Sequence, residues 1–374
     1  MQRYDVHLCL VSDQPLPNLI PVLDPRWRPR QVILLVTPAM ERKGRHLHLK
    51  SALESAGCQV RVQTFNAFAI EEIRRGIIES LSGISGRSIA LNLTGGTKIM
   101  ALGAYEVFRE LGLPAFYVDT GNGHLIEIFP EAKTLPLPDV VKINHYLNAY
   151  GYSINKCGGY QVPPALQGLT DTLVKNAKRY EKALGTLNFC ASDADKTLVR
   201  NLGTQEINNQ RFRELLTLFA EAGVLALRGQ QLVFADEQAR FFANGGWLES
   251  HVLKVLNGFK GKEIIRDHAG SLELISSANN KNELDLAFTA RNRLHLIECK
   301  TGRMKGSEQN PGDITYKLET LADLVGGVFG KAMLVSYRPL RQADRTRCAE
   351  FDIQVVEGGD IAQLPDRIGA WIAS

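Results

Sequence analysis

Hydrophobic residues fall along the first third of the chain in short, nearly unbroken runs: VHLCLVS, QVILLVT, QVRVQTF, SIALNLT and AFYVDT. Runs of Val, Ile and Leu of this length read as strands, and strands apolar at almost every position are covered on both faces. Segments of helical character lie between them: PNLIPVL, AMERKGRHLHLKSALESAG, AIEEIRRGIIESLS and TKIMALGAYEVFRELG. This alternation predicts an α/β domain over residues 1–135, a Rossmann-like doubly wound parallel sheet. HLIEIF, after the turn TGNG, reads as a closing hairpin strand.

Residues 136–244 read as a linker and a winged-helix-like domain, helix-rich from about 166 to 243. RFRELLTLFAEAG predicts an amphipathic helix, followed by two short strands around Arg228-Gly229-Gln230. Helix plus small hairpin is the pattern of a winged helix, a unit that reads DNA, dimerises or acts as a spacer. No run of Lys or Arg on the helix favours the first role. From 245 to 374 the order is helix (GGWLESHVLKVLNGF), strands (KEIIRD, ELDLAFT, LHLIECK), helix (ITYKLETLADLVGG) and strand (KAMLVSY), an αβββαβ unit with FDIQVVE as a further strand.

Composition changes this picture little. The 374 residues carry a net charge of +4, which permits nucleic-acid contact without arguing for it. None of the six cysteines forms a CxxC pair, so a zinc ribbon is not expected, and reduced buried thiols point to a cytoplasmic setting. The N-terminal apolar run is too brief for a signal peptide. No stretch approaches the ~18 apolar residues of a membrane span.

The chemistry concentrates in NELDLAFTARNRLHLIECK, residues 282–300. Side chains alternate faces along a strand, so Glu298 and Lys300 share one face and Cys299 points away. A turn centred on Arg291-Asn292 sets Asp285 opposite Glu298 and Glu283 opposite Lys300. Arg-Asn is not a favoured two-residue turn, so this register is open. Opposed carboxylates repel, and a hard divalent cation such as Mg²⁺ or Mn²⁺ relieves them. The Cys299 carbonyl is a further oxygen donor, and Lys300 stands near enough to orient water or neutralise phosphate. Alone, E-x-K fits a solvated edge strand equally well. The surrounding αβββαβ order, Glu249 on the preceding helix and the basic loop KTGRMKG favour a site.

A second feature is Thr94-Gly95-Gly96-Thr97-Lys98, between a parallel strand and a helix. Glycines there let backbone approach a ligand, and the helix N-terminus offers free N–H groups to phosphate. It fits neither GxxxxGK[ST] nor GxGxxG, and a plain glycine turn is the alternative. The loop Ser12–Asn18 lies at another strand's carboxyl end and completes a possible ligand floor.

Asp285 with Glu298-Cys299-Lys300 in this order of elements resembles the PD-(D/E)xK, restriction-endonuclease-like fold, with Leu284 in place of the motif proline. The resemblance implies metal ligation by Asp285 and Glu298, water activation aided by Lys300, and a contribution from Glu249; Tyr316 and Lys317 follow on the next helix. LNLTGGTK resembles the glycine turn of the CRISPR-associated Rossmann fold (CARF). The whole chain is similar to the cyclic-oligoadenylate-activated ancillary nucleases called Card or Can. That likeness implies a homodimer whose paired CARF domains bind one cyclic oligoadenylate, usually cyclic tetra-adenylate, through Thr94, Gly95, Gly96, Thr97 and Lys98. By loop position Ser12, Gln14 and Asn18 join them. The implied activity is Mn²⁺- or Mg²⁺-dependent cleavage of DNA or RNA in antiviral defence. A ligand-responsive DNA-binding regulator with an inert nuclease domain is the rival reading.

Overall fold

The computed structural model describes residues 2–64, 66, 68–84, 86–158, 162–302 and 313–374. The N-terminal sheet contains β1 (Val6–Leu10), β2 (Gln31–Val36), β3 (Gln59–Thr64), β4 (Ile89–Asn92), β5 (Ala115–Asp119), β6 (His124–Phe129) and β7 (Lys133–Pro136), in the order β3-β2-β1-β4-β5-β6-β7. The first five are parallel and the last two antiparallel. β1 is buried throughout, as its unbroken apolar run requires, whereas the edge strand β3 keeps polar side chains partly exposed. Strand order reverses between β1 and β4, and ligands collect outside the carboxyl ends at such a switch point. The expected long helix after β2 is two helices, Pro38–Arg42 and Arg45–Ser55. Gly44 separates them at φ 69°.

β8 (Tyr152–Lys156) leaves this domain and forms an edge of the C-terminal sheet. The helix-rich segment that follows holds the helices Ala177–Asp193 and Gln210–Glu221. Its antiparallel sheet is β10 (Leu225–Arg228), β11 (Gln231–Phe234) and β9 (Val199–Asn201), in that order. The hairpin turns at Gly229, so the helix-and-hairpin unit read from sequence is present, with β9 as an added third strand.

The C-terminal sheet is β16 (Ile353–Glu357), β15 (Lys331–Ser336), β14 (Arg293–Lys300), β13 (Lys281–Ala290), β12 (Asp267–Ser276) and β8. β14, β15 and β16 are parallel and the rest antiparallel. KEIIRD is not the first strand. Its backbone closes the helix Trp247–Gly261, with the Glu263 and Ile264 N–H groups donating to the Lys260 and Phe259 carbonyls, and the strand begins only at Asp267. Two helices not foreseen, Gln342–Glu350 and Leu364–Ala373, complete the layer. The second buries Ile368, Trp371 and Ile372.

This sheet is buried on both sides. Leu284, Ala287, Leu294, Leu296 and Leu334 share a core with Leu16, Leu19, Leu49, Leu53 and Tyr146 of the N-terminal half. Leu286, Phe288, Ile297, Cys299 and Val335 face a second core built with Leu184, Leu187, Trp247 and Trp371. Among the described residues no helix is long and apolar enough to cross a membrane.

Candidate active site and ligand pocket

The β13–β14 hairpin turns on Arg291 and Asn292, both at positive φ (52° and 58°), the conformation of a type I′ turn. Asp139, far away in sequence, holds it there: its carboxylate accepts from the Arg291 N–H at 3.0 Å and the Asn292 N–H at 2.9 Å. The register from Ala290↔Arg293 to Leu286↔Ile297 is the one read from sequence. The paired ladder ends at that last pair. Asp285 does not take a ladder position opposite Glu298; its Oδ2 accepts the Cys299 N–H at 2.7 Å. Glu283 is matched with Glu273 on β12, not with Lys300.

Lys300 Nζ lies 2.6 Å from Glu298 Oε1 and 3.9 Å from Asp285 Oδ2, so the lysine bridges the two carboxylates. Glu298 is nearly closed off from solvent, while Asp285 and Lys300 are partly open. Burial and the Glu298 charge raise Asp285 to about 6, against the pull of Lys300 and of Lys317. Burial also opposes the Lys300 ammonium, but Glu298 and Asp285 outweigh it and hold its pKa above the ordinary value. Glu249, in the first turn of the helix Trp247–Gly261, is raised to about 8 by burial and the Asp285 charge. The Cys299 thiol faces the core, and burial pushes its pKa up. Tyr316 is half exposed and packs against Phe351 and Arg347. The basic loop KTGRMKG lies, from Arg303 on, outside the described residues.

Thr301 connects these parts, and sequence gave no sign of it. Gly245, at φ 122°, approaches so closely that a Cβ would overlap the Thr301 hydroxyl. The buried Asn188 meets the same hydroxyl at 2.6 Å and, with its amide oxygen turned toward Thr301, accepts the Gly302 N–H at 3.2 Å. The strand end carrying Lys300 is thereby set against the turn that starts the Glu249 helix.

Among the described residues no group of three or more acidic, His or Cys side chains is arranged to hold a metal. The chain offers the pair Asp285 and Glu298. That is a fitting donor set, since Mg²⁺ takes one or two carboxylates and fills its remaining positions with water and phosphate. Asp285 and Glu249 are raised first by burial and next by the neighbouring carboxylate charge, which a bound cation would relieve.

The glycine turn borders a separate pocket of about 380 Å³ at the carboxyl ends of β1 and β2. Ser12, Thr37, Arg42, Phe68, Gly96 and Thr97 are among its lining residues. Thr97 caps the helix Lys98–Glu110 by accepting the Met100 N–H. The other residues assigned from sequence, Gln14, Asn18, Thr94, Gly95 and Lys98, are not among its lining. Asn18 is buried and donates to the Leu10 carbonyl at 2.9 Å, while Asn92 donates to the Asn18 side-chain oxygen. Thr94 donates to Asn92 at 2.7 Å and accepts the Val118 N–H. Gly95 touches backbone: a Cβ there would overlap the Leu10 carbonyl oxygen. Gln14 turns away to accept the Tyr150 hydroxyl at 2.8 Å.

The Card1 CARF domain family matches residues 6–146, and the family described as Card1-like, endonuclease domain matches residues 236–374. No curated protein matches the chain. Among solved structures, Can2 from Sulfobacillus thermosulfidooxidans in complex with cyclic tetra-adenylate is 30% identical, with TM-score 0.85 over 99% of this chain and 100% of that one. Protein VC1899 from Vibrio cholerae is 27% identical, with TM-score 0.87 over 98% of each chain. A type III CRISPR defence DNA nuclease activated by cyclic oligoadenylate shares the fold at 21% identity, TM-score 0.55, over 90% of this chain and 46% of that chain. With both domain families matched and a relative aligned end to end, the chain belongs to the Card1/Can2 family, which joins a CARF domain to an endonuclease domain.

Proposed function

We propose that this protein is a metal-dependent endonuclease of type III CRISPR antiviral defence, switched on by cyclic oligoadenylate and acting on DNA or RNA. The observation that carries the reading is the convergence of Asp285, Glu298 and Lys300, with Glu249 beside them, in a chain that matches Can2 along its whole length. The Can2 structure holds cyclic tetra-adenylate, and that is the activator we assign. Ser12, Gly96 and Thr97, with the N-terminus of the helix Lys98–Glu110, form its seat, and a homodimer places two such seats together.

In the nuclease site Asp285 and Glu298 would hold Mn²⁺ or Mg²⁺, with the Cys299 carbonyl as a further donor. Such a cation lowers the pKa of bound water and offsets phosphate charge. Lys300 stabilises the charge that develops on the attacked phosphate. Its ion pair with Glu298 keeps the ammonium protonated for that role. Asp285 fixes the strand end by accepting the Cys299 N–H. Glu249, raised to about 8 by burial and the Asp285 charge, holds its proton at neutral pH. The activator must bind the competent arrangement more tightly than the resting one.

The regulator reading gains nothing from the helix Gln210–Glu221, where Glu214 engages both Arg211 and Arg179 at 2.8 Å. The test is cleavage of single-stranded and supercoiled nucleic acid with Mn²⁺, with and without cyclic tetra-adenylate. Asp285→Ala is expected to lose at least ~100-fold in rate while still binding the activator. Equal cleavage by variant and wild type would remove the site assignment.

A further inference from the structure

The ladder between β13 and β14 ends at Leu286↔Ile297, so the strand end that carries Lys300 has a backbone ladder on one side only, with β15. Just past Lys300 the chain is held instead by the helix-rich segment. Thr301 is buried, and the helix Ala177–Asp193 brings the buried Asn188 to it. Asn188 is the only amide side chain on that helix, where its buried neighbours include Leu184, Leu187 and Ala191. Burying an amide costs free energy unless its polar atoms find partners. With its oxygen toward Thr301, Asn188 accepts the Thr301 hydroxyl at 2.6 Å and the Gly302 N–H at 3.2 Å. Its nitrogen donates to the Leu184 carbonyl at 3.1 Å and the Ala243 carbonyl at 2.9 Å. All four bonds open to an amide are thereby made.

Two of the four grip the chain just beyond Lys300. A third grips the segment Phe242–Gly246, which leads into the helix carrying Glu249. A second strut runs beside the first. The Lys300 carbonyl accepts the Tyr337 N–H at 2.7 Å. The Tyr337 ring meets Trp247, the first residue of the Glu249 helix, edge-on with centroids 5.3 Å apart. Its hydroxyl donates to the Leu173 carbonyl, in the helix Gln167–Lys175, at 3.0 Å. Both struts therefore join Lys300 and the start of the Glu249 helix to helices of one segment. An apolar side chain at 188 would fill the core with no partners to find. A fully satisfied polar group instead rigidifies and specifies one arrangement.

We propose that Asn188 is a positioning residue for the nuclease reaction, and that the helix-rich segment is the frame that fixes Lys300 relative to Glu249. The proposal deepens the nuclease reading and rests on it. It gives the winged-helix-like segment a task that requires neither DNA reading nor dimerisation.

The experiment measures kcat and KM for the full chain with Mn²⁺ and cyclic tetra-adenylate, on single-stranded and supercoiled nucleic acid. Melting temperature and activator affinity are followed alongside. Thr301→Val keeps the shape and removes the hydroxyl. It is expected to lower kcat ~10- to 100-fold, the cost of a misplacement of about 1 Å, with KM, melting temperature and activator affinity little changed. Thr301→Ser retains the hydroxyl and most of the rate. Asn188→Leu releases both grips and lowers kcat at least as far; if that chain does not fold, the two Thr301 variants decide. Wild-type kcat in Thr301→Val overturns the assignment. So does an equal loss in Thr301→Val and Thr301→Ser, or a loss carried by KM alone. A wild type that cleaves nothing overturns the nuclease reading itself, and the positioning role with it.

Discussion

Glu249→Gln is expected to make the protein more stable and less active at once. Glu249 titrates at about 8 in the fold, against an ordinary value of 4.5, with burial the larger cause and Asp285 the next. The folded state therefore holds this proton more tightly than the unfolded state does, and stability contributed by the protonated group is lost as pH rises from 4.5 through 8. Linkage sets the cost at about 3 kcal/mol at pH 7 and under about 1 kcal/mol at pH 5. Partial solvent access trims the neutral-pH figure to about 2 kcal/mol. Gln keeps the shape and removes the charge. Urea unfolding of wild type and variant, in chelator, at about pH 5 and pH 7.5, reads the difference directly. The expected pattern is near-equal midpoints in acid and a variant ahead by about 2 kcal/mol at neutral pH. Equal stability at both values, or a less stable variant at neutral pH, would refute the claim that burial and the Asp285 charge hold the proton on Glu249. Added Mn²⁺ should narrow the gap if that charge belongs to a cation site.

Three further outcomes follow from the geometry. Gly95→Ala forces a methyl into the Leu10 carbonyl, so it is expected to cost about 1–3 kcal/mol in thermal unfolding and to abolish activator binding by calorimetry. Tyr150→Phe removes the hydroxyl that joins Gln14 of the pocket loop to the region of Gly327, beyond the helix Asp313–Gly326. Activator binding should persist while activator-dependent cleavage falls several-fold, and unchanged stimulation would count against coupling through this contact. His7 and His295 are buried and pushed down to about 3. Their depressed values mean stability is present at neutral pH and lost as pH falls from 6.5 toward 3, by up to about 1.4 kcal/mol per pH unit each. His295→Phe should roughly halve that acid slope in pH-dependent unfolding.

The alternation of residues in NELDLAFTARNRLHLIECK was sufficient to put Asp285, Glu298 and Lys300 on one face, and the turn position gave the correct register for the pairs that form. The conformation of Arg291 and Asn292 was not legible, because Asp139, some 150 residues upstream, holds both N–H groups. Nor was the end of the ladder at Leu286↔Ile297, which depends on the Asp285 side chain replacing a backbone acceptor. KEIIRD has the composition of a strand, but the preceding helix needs its N–H groups to close its last turn. In the N-terminal domain the glycine turn was visible as a ligand feature. That Asn18 and Thr94 brace it from below required knowing that β1 and β4 are neighbours.

The sheet bearing Asp285, Glu298 and Lys300 packs a core against each of its faces. One side is closed by the ligand-binding half and the other by the helix-rich segment. A free-standing nuclease, released from its switch by cleavage or gene truncation, would expose leucines that now lie in a shared core. Loss of the sensor is therefore expected to give an insoluble or unfolded chain, read as loss of soluble protein on expression of residues 236–374 alone.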